Sequence, residues 1–412
     1  MSATTMILVK AVIGLLCGCT VALGQPLKPA KSPVKSNKPF ITVWNSPTAA
    51  CQSSFGVNLN LRIFDIIANQ NESFIGKNVT IFYYDKLGSY PYYTDSGVSV
   101  NGGVPQNASL KDHLAKAQVD VEKLIPLQDF GGLSVIDWEA WRPSWIRDWS
   151  QKDIYHKKSK ELVRRRHPDW SDSQVTKQAQ NEYEQAARDF MGQTLKMAKG
   201  LRPQGLWGYY GFPCCYNSII SNNYTGECPD IELKRNDHLV WLWRESMALY
   251  PSIYLDHTLR STENAQKYVH YRIKEGLRLS QLGANYSLPV LPYSRIVYAN
   301  TTEFLTEESC LALKAYISGV LGNYIVNVTN AAMICSWLLC TNHGRCVRRS
   351  KASHAYLHLN PDSFTVRVNP SDKGPAFLLT GQMAEKDVRE MARGFQCQCY
   401  SGWGGSHCEI SC

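Results

Sequence analysis

The 412-residue chain is 44% hydrophobic and sets 44 Lys and Arg against 35 Asp and Glu, a formal net charge of +9. That composition supplies a sizeable core and excludes a low-complexity or coreless chain; the length suits one large domain with a small companion. The positive balance favours an acidic partner.

Residues 1–24 read as a signal peptide: Lys10 precedes an apolar run that ends in small residues at Ala22 and Gly24. The run is short for a bilayer, and no later stretch or C-terminal tail is expected to serve, so no transmembrane segment is expected. Removing Cys17 and Cys19 leaves twelve of the fourteen cysteines, the count of an exported disulfide protein. Seven Asn-x-Ser/Thr sites agree with export: Asn71, Asn78, Asn107, Asn223, Asn285, Asn300 and Asn327. Export and glycosylation argue against nucleic acid and for an anionic polysaccharide. The basic clusters Lys157-Lys158 and Arg164–Arg166 read as a solvated helix face.

In chain order, residues 25–38 are rich in Pro, Lys and Ser and read as a flexible arm. Strands are expected at Pro39–Asn45, Asn78–Asp85, Leu133–Ile136, Gly205–Pro213, Pro251–Leu255 and Leu288–Tyr298. Helices are expected at Asn107–Ile125, over much of 151–200 with a Ser171/Gln174 capping box, at Asp237–Leu249 and at Glu263–Leu282. Strands alternating with helices mean a parallel sheet, and the length suits an α/β barrel spanning 39–330. A helix is expected from Cys310 to about Leu321, followed by a disulfide-rich module at 331–412. The Cys335, Cys340, Cys346, Cys397, Cys399 and Cys408 spacing resembles an EGF-like module with a β-rich insertion at 347–396. A zinc site through His343 or His407 is the rival, disfavoured in an exported chain.

The segment LSVIDWEAWRPSW (Leu133–Trp145) carries the chemistry. In an extended chain Asp137 and Glu139 project to one face, about 7 Å apart. Two carboxyls that close cannot both ionise cheaply, so one keeps its proton, as a glycosidase acid must. Trp138, Trp141 and Trp145 are expected as apolar walls for sugar rings. The competing reading caps a helix with Asp137 and leaves Glu139 solvated in its first turn. Aromatic residues close nearly every strand, including Tyr83, Tyr210, Tyr254 and Tyr293, and outline a groove.

DWEAW, GLWGYYGFPCCYN, ALYPSIYL, NNYTGECP and CYSGWGGSHC together resemble the vertebrate hyaluronidases of glycoside hydrolase family 56, nearest the hyaluronidase-1 type, over about 38–409. The resemblance implies an endo-β-N-acetylhexosaminidase acting on hyaluronan and, more slowly, chondroitin, without metal or organic cofactor, as a secreted or lysosomal monomer. It implies substrate-assisted retention: the acetamido oxygen attacks the anomeric carbon, Glu139 is acid then base, and Asp137 shares its proton. Tyr210 and Tyr254 would position the acetamido group, and Asn45, Tyr83, Trp138, Trp141, Arg142, Arg272 and Tyr293 would line or support the groove. It implies disulfides Cys51–Cys310, Cys215–Cys228, Cys335–Cys346, Cys340–Cys397 and Cys399–Cys408, leaving Cys214 and Cys412 unassigned.

Three departures stand out. Only Ala299–Ser309 lies where the family has a further helix and a strand ending in a pocket tryptophan, so the barrel is expected to lack one βα unit. Cys214 replaces an acidic groove residue, and Ala299 an aspartate. Three functions are therefore carried forward: an active hyaluronidase, a chain that binds hyaluronan without cleaving it or is inert, and an EGF-like adhesion protein.

Overall fold

The computed structural model describes residues 27–218, 223–299, 301, 305–350, 352–371 and 374–412. The expected signal peptide and Asn300 lie outside the described residues.

A parallel sheet forms the centre. Strands Val79–Tyr83, Leu133–Asp137 and Leu206–Tyr209 pair in chain order, with Val79 opposite Leu133 and Leu133 opposite Leu206. Parallel bridges then carry the ladder onward, Tyr210 to Tyr250, Leu249 to Val290, Ser252 to Tyr293 and Asp256 to Ala299. Val43–Trp44 runs parallel to Ile66–Ile67 at the start of the chain. Val79–Phe82 and Leu133–Ile136 are buried throughout, as strands covered on both faces must be.

Alternation along the strands separates two cores. Ile81, Val135, Leu206, Ala248 and Tyr250 pack together on the inner face with Leu291 and Tyr293. Phe82, Ile136, Trp207 and Leu249 face outward into a larger cluster shared with the helices. Those helices are Leu110–Leu124, capped by Ser109, and the thirty-residue Asp172–Leu201, opened by the Ser171/Gln174 capping box. Gly208 lets two staves approach, since a Cβ there would run into the Ala248 carbonyl oxygen.

Several expectations need correction. The 25–38 arm is not loose where it is described: Ala30 is buried, its N–H donates to the Cys399 carbonyl (2.7 Å), and its carbonyl accepts from Ser401 (2.9 Å). Composition measures what a segment can bury by itself, and this one borrows its partners from the chain's other end. The Asp237–Leu249 helix is displaced, with Asp230–His238 and Val240–Glu245 in its place. A helical run spans Glu307–Cys340, passing through a π-turn at Ile317–Leu321, so the expected boundary at 330/331 falls inside the helix Gly322–Cys340. This run of 34 residues contains an 18-residue window of mean hydropathy 1.2 and is, by length and composition, long and apolar enough to cross a membrane. The sequence reading missed it because the apolar stretch continues past Leu321. Its two ends are nevertheless tied to the rest of the protein by cystines at Cys310, Cys335 and Cys340.

Beyond it, Gly344–Arg348 pairs antiparallel with Phe395–Cys399, and Trp403–Gly404 with Ile410–Ser411. Between the first pair lie the hairpin Phe364–Val368/Phe377–Gly381 and the helix Glu385–Gly394. Disulfides join Cys335 to Cys346, Cys340 to Cys397 and Cys399 to Cys408; Cys51–Cys310 and Cys215–Cys228 brace the sheet domain. Cys214 and Cys412 are free thiols. Asn71, Asn107, Asn223 and Asn285 are exposed, whereas the Asn78 and Asn327 amides donate to the Ile67 and Leu359 carbonyls at 3.0 and 3.4 Å.

Candidate active site

The inner-face rows end in polar groups at the carboxyl side of the sheet. Ile81 is followed two residues on by Tyr83, Val135 by Asp137, Gly208 by Tyr210, and Leu291 by Tyr293. Register places Tyr83 directly opposite Asp137. The Tyr210 N–H donates to the Ile136 carbonyl at 2.9 Å, fixing that tyrosine beside the acid strand.

Asp137 and Glu139 meet through a hydrogen bond between their carboxyls. Burial first, then the neighbouring Glu139 charge and that bond, push Asp137 up to about 7, against the pull of Arg142. Asp137 Oδ1 is buried with no other donor facing it. A carboxyl pair can share a hydrogen bond only by carrying a proton between them. Glu139 is the accessible member, its side chain 56% exposed, with Arg142 Nη2 at 3.6 Å. Lys152 Nζ donates to the Glu139 and Ala140 carbonyls, the latter at 3.1 Å, and pins the turn.

Tyr210, Tyr254 and Tyr293 stand beside the pair, with ring centroids 6.1 Å apart for Tyr210–Tyr254 and 5.3 Å for Tyr210–Tyr293. Burial raises all three phenols, so they remain hydrogen-bond donors. The neighbouring Tyr254 phenol adds to the rise at Tyr210. Tyr83 is partly exposed, and burial followed by the Asp137 charge raises it too. Asn45 Nδ2 donates to Tyr293 Oη at 3.1 Å, and its own Oδ1 is buried without a partner. Arg272 sits outside this cluster as a brace: Nε donates to Asn217 Oδ1 (2.9 Å) and Nη1 to the Ser252 carbonyl (2.8 Å).

The tryptophans are not groove walls. Trp138 and Trp141 are buried, stacked on Tyr90 at 4.7 and 5.3 Å, and Trp145 stacks on His156 at 4.1 Å. The reason is parity: Trp138 is one residue from Asp137, so it faces outward with Ile136. Asp148, which the sequence reading passed over, is fully buried and accepts from the Arg142 N–H (2.8 Å) and the Tyr183 hydroxyl (2.6 Å). A single Asp in an aromatic run gives no periodic signal. Among the described residues no group of three or more His, Cys, Asp or Glu is placed to hold a metal ion.

A family model described as Glyco_hydro_56, hyaluronidase, matches residues 29–309 and 305–411. The chain belongs to the hyaluronidase family of glycoside hydrolases. Hyaluronidase-1 of Mus musculus is 46% identical over 407 aligned positions, covering 91% of this chain and 88% of the relative. Hyaluronidase-1 of Homo sapiens is 43% identical, covering 96% and 97%. Among solved structures, bee venom hyaluronidase in complex with a hyaluronic acid tetramer matches with a TM-score of 0.60 and 31% identity, over 69% of this chain and 98% of that one. The fold of the sheet domain is accordingly α/β barrel-like.

Proposed function

We propose that the chain hydrolyses the β-1,4 N-acetylhexosaminidic bonds of hyaluronan, and of chondroitin more slowly, by substrate-assisted retention. The carrying observation is the proton-sharing Asp137–Glu139 pair ringed by raised tyrosines. Glu139, exposed to the groove, gives its proton to the leaving glycosidic oxygen while the substrate's acetamido oxygen bonds to the anomeric carbon. Asp137 orients the acetamido N–H and takes up the charge, and the Tyr210 and Tyr254 hydroxyls hold the group in attacking position. Water then opens the cyclic intermediate, with Glu139 recovering its proton. Asn45, Tyr83, Arg142 and Tyr293 line or support the groove, while Arg272 holds the Ser252 segment. No step needs a metal or cofactor, and the chain acts as an exported monomer. The C-terminal hairpins with three cystines serve as an EGF-like brace.

We further propose that the barrel lacks one βα unit. Ninety-seven per cent of 412 residues is about 400, so about 32 of the 432 positions aligned with hyaluronidase-2 of Mus musculus hold no residue of this chain. This observation supports a second reading, in which hyaluronan is bound and not cleaved.

Reducing-end release from hyaluronan at acid and neutral pH separates the two. Activity that vanishes in Glu139→Gln supports hydrolysis; retention on immobilised hyaluronan with no turnover refutes it and supports binding alone.

A further inference from the structure

Beside Arg142, the arginine that approaches Glu139, lies a hollow to which the hydrolytic reading gives no ligand. It has a volume of about 20 Å³ and is lined by Arg142, Arg147, Arg235, Ser144, Cys214 and Tyr216 among others. That is room for one species the size of a water molecule or a halide. Three arginines contribute to its lining, together with the apolar Pro143, Phe212 and Leu239. Glu232 pairs with Arg147 in close contact and with Arg235 at 2.6 Å. Among carboxylates Arg142 approaches Glu139, at 3.6 Å, and its Nη1 donates to the Trp138 carbonyl at 3.4 Å. The lining therefore holds three cations against one dedicated carboxylate. Cys214 adds no negative charge as bonded, because its thiol donates to the Gly211 carbonyl at 2.8 Å.

Arg147 points to a ligand independently. It is 7% exposed, and its Nη1 is buried with no acceptor. Its guanidinium lies over the Tyr216 ring, 3.9 Å from the centroid, so the face is covered and the N–H edge is left to find a partner. Glu232 already meets the charge of Arg147, but its unmet buried Nη1 N–H is costly, and an acceptor in the hollow would satisfy it.

We propose that the hollow between Arg142, Arg147, Arg235 and Cys214 is a binding site for a small monovalent anion of chloride size. The anion balances the three guanidinium groups and holds Arg142 in its place beside Glu139. This site does not rest on the hydrolytic reading.

The test is thermal unfolding of the whole protein in sodium chloride and in sodium gluconate at equal ionic strength and pH. Chloride is expected to raise Tm by about 2–4 °C over gluconate, the shift from preferential binding to the folded state. Cys214→Asp supplies a fixed negative charge and is expected to lose that response, with its Tm already raised in gluconate. Arg235→Gln, altered at a partly exposed side chain, is expected to halve the response or abolish it. Crystals grown in sodium bromide are expected to show an anomalous peak between the three guanidinium groups. Equal Tm in the two salts, a full response retained in both variants, or bromide absent from the hollow overturns the site.

Discussion

Asp148 lets the electrostatics be tested apart from any substrate. Its carboxyl is fully buried, and burial raises it to about 6 from 3.8, although the Tyr183 hydroxyl and the Arg142 N–H favour its charged form. A group raised on folding binds more protons in the native state than in the unfolded one. It therefore stabilises below about pH 4, and that stability is lost as pH rises to about 6 and beyond. The gap between 3.8 and about 6, at about 1.4 kcal/mol per pH unit, is worth about 3 kcal/mol.

Asp148→Asn mimics the protonated acid. The amide oxygen can still accept from Arg142, and the amide N–H can donate to the Tyr183 oxygen, whose own proton then turns to the Arg142 carbonyl, 3.1 Å away. Unfolding of both proteins should be followed from pH 3 to 8. The difference curve cancels every other titration. The variant is expected to gain on the wild type as pH rises through 4 to 6, by up to about 3 kcal/mol or roughly 4 °C in Tm. A flat difference curve, or a variant that loses ground with rising pH, would refute the argument that burial governs this carboxyl.

The remaining predictions concern the site and its frame. Activity is expected to fall as pH rises through about 7, where the Asp137–Glu139 pair gives up its shared proton, and Glu139→Gln should cost about 10²–10⁴ in kcat with Tm unchanged; an alkaline optimum contradicts this. Tyr210→Phe and Tyr254→Phe should each lower kcat by about 10²-fold or more, as loss of one charge-stabilising donor does, with KM little moved; a change confined to KM would make them simple groove contacts. Trp138→Phe should lower Tm and leave hyaluronan KM alone, because the indole is buried; a raised KM at unchanged Tm returns it to the groove. Replacing Cys51 and Cys310 by Ala opens a 259-residue loop, and should cost about 4–5 kcal/mol; a negligible Tm change would mean that the two segments hold together without the bond.

The strands Val79–Tyr83, Leu133–Asp137 and Leu206–Tyr209 were legible because they are short apolar runs that end where a polar or aromatic residue breaks the run, whereas Pro251–Leu255 and Leu288–Tyr298, expected as strands, carry only isolated parallel bridges. The strand spacing of two also brought Asp137 and Glu139 together from sequence alone. The same rule, applied to Trp138, gives the opposite face, and the attraction of tryptophan for sugars obscured it. Other features had no local signal. Asp148 matters because Tyr183, 35 residues away, and Arg142 converge on it. The arm at Ala30 is ordered by Ser287 and Tyr400, far off in the chain. Long-range partners of that kind leave no period in composition.

Closure of the barrel bears most directly on whether the site can work. The parallel ladder runs by backbone bonds as far as Tyr293 and Ala299. Among the described residues, no backbone bridge then returns from Leu288–Tyr293 to Val43–Trp44; the hydrogen bond from Asn45 to Tyr293 links the two flanks instead. With a βα unit absent there, as proposed, that side of the groove is held by the Asn45–Tyr293 bond, by packing of Ile41 and Val43 in one cluster with Leu291 and Tyr293, and by the Cys51–Cys310 cystine. The acid pair lies toward the other side, on strands whose ladder is continuous from Val79 to Tyr210. The proton-sharing chemistry is therefore built on the rigid half of the sheet, and acetamido positioning depends on the half with fewer backbone bonds. A loss of function from the shorter barrel would then appear as lost transition-state positioning, a fall in kcat, before any loss of the raised Asp137 carboxyl.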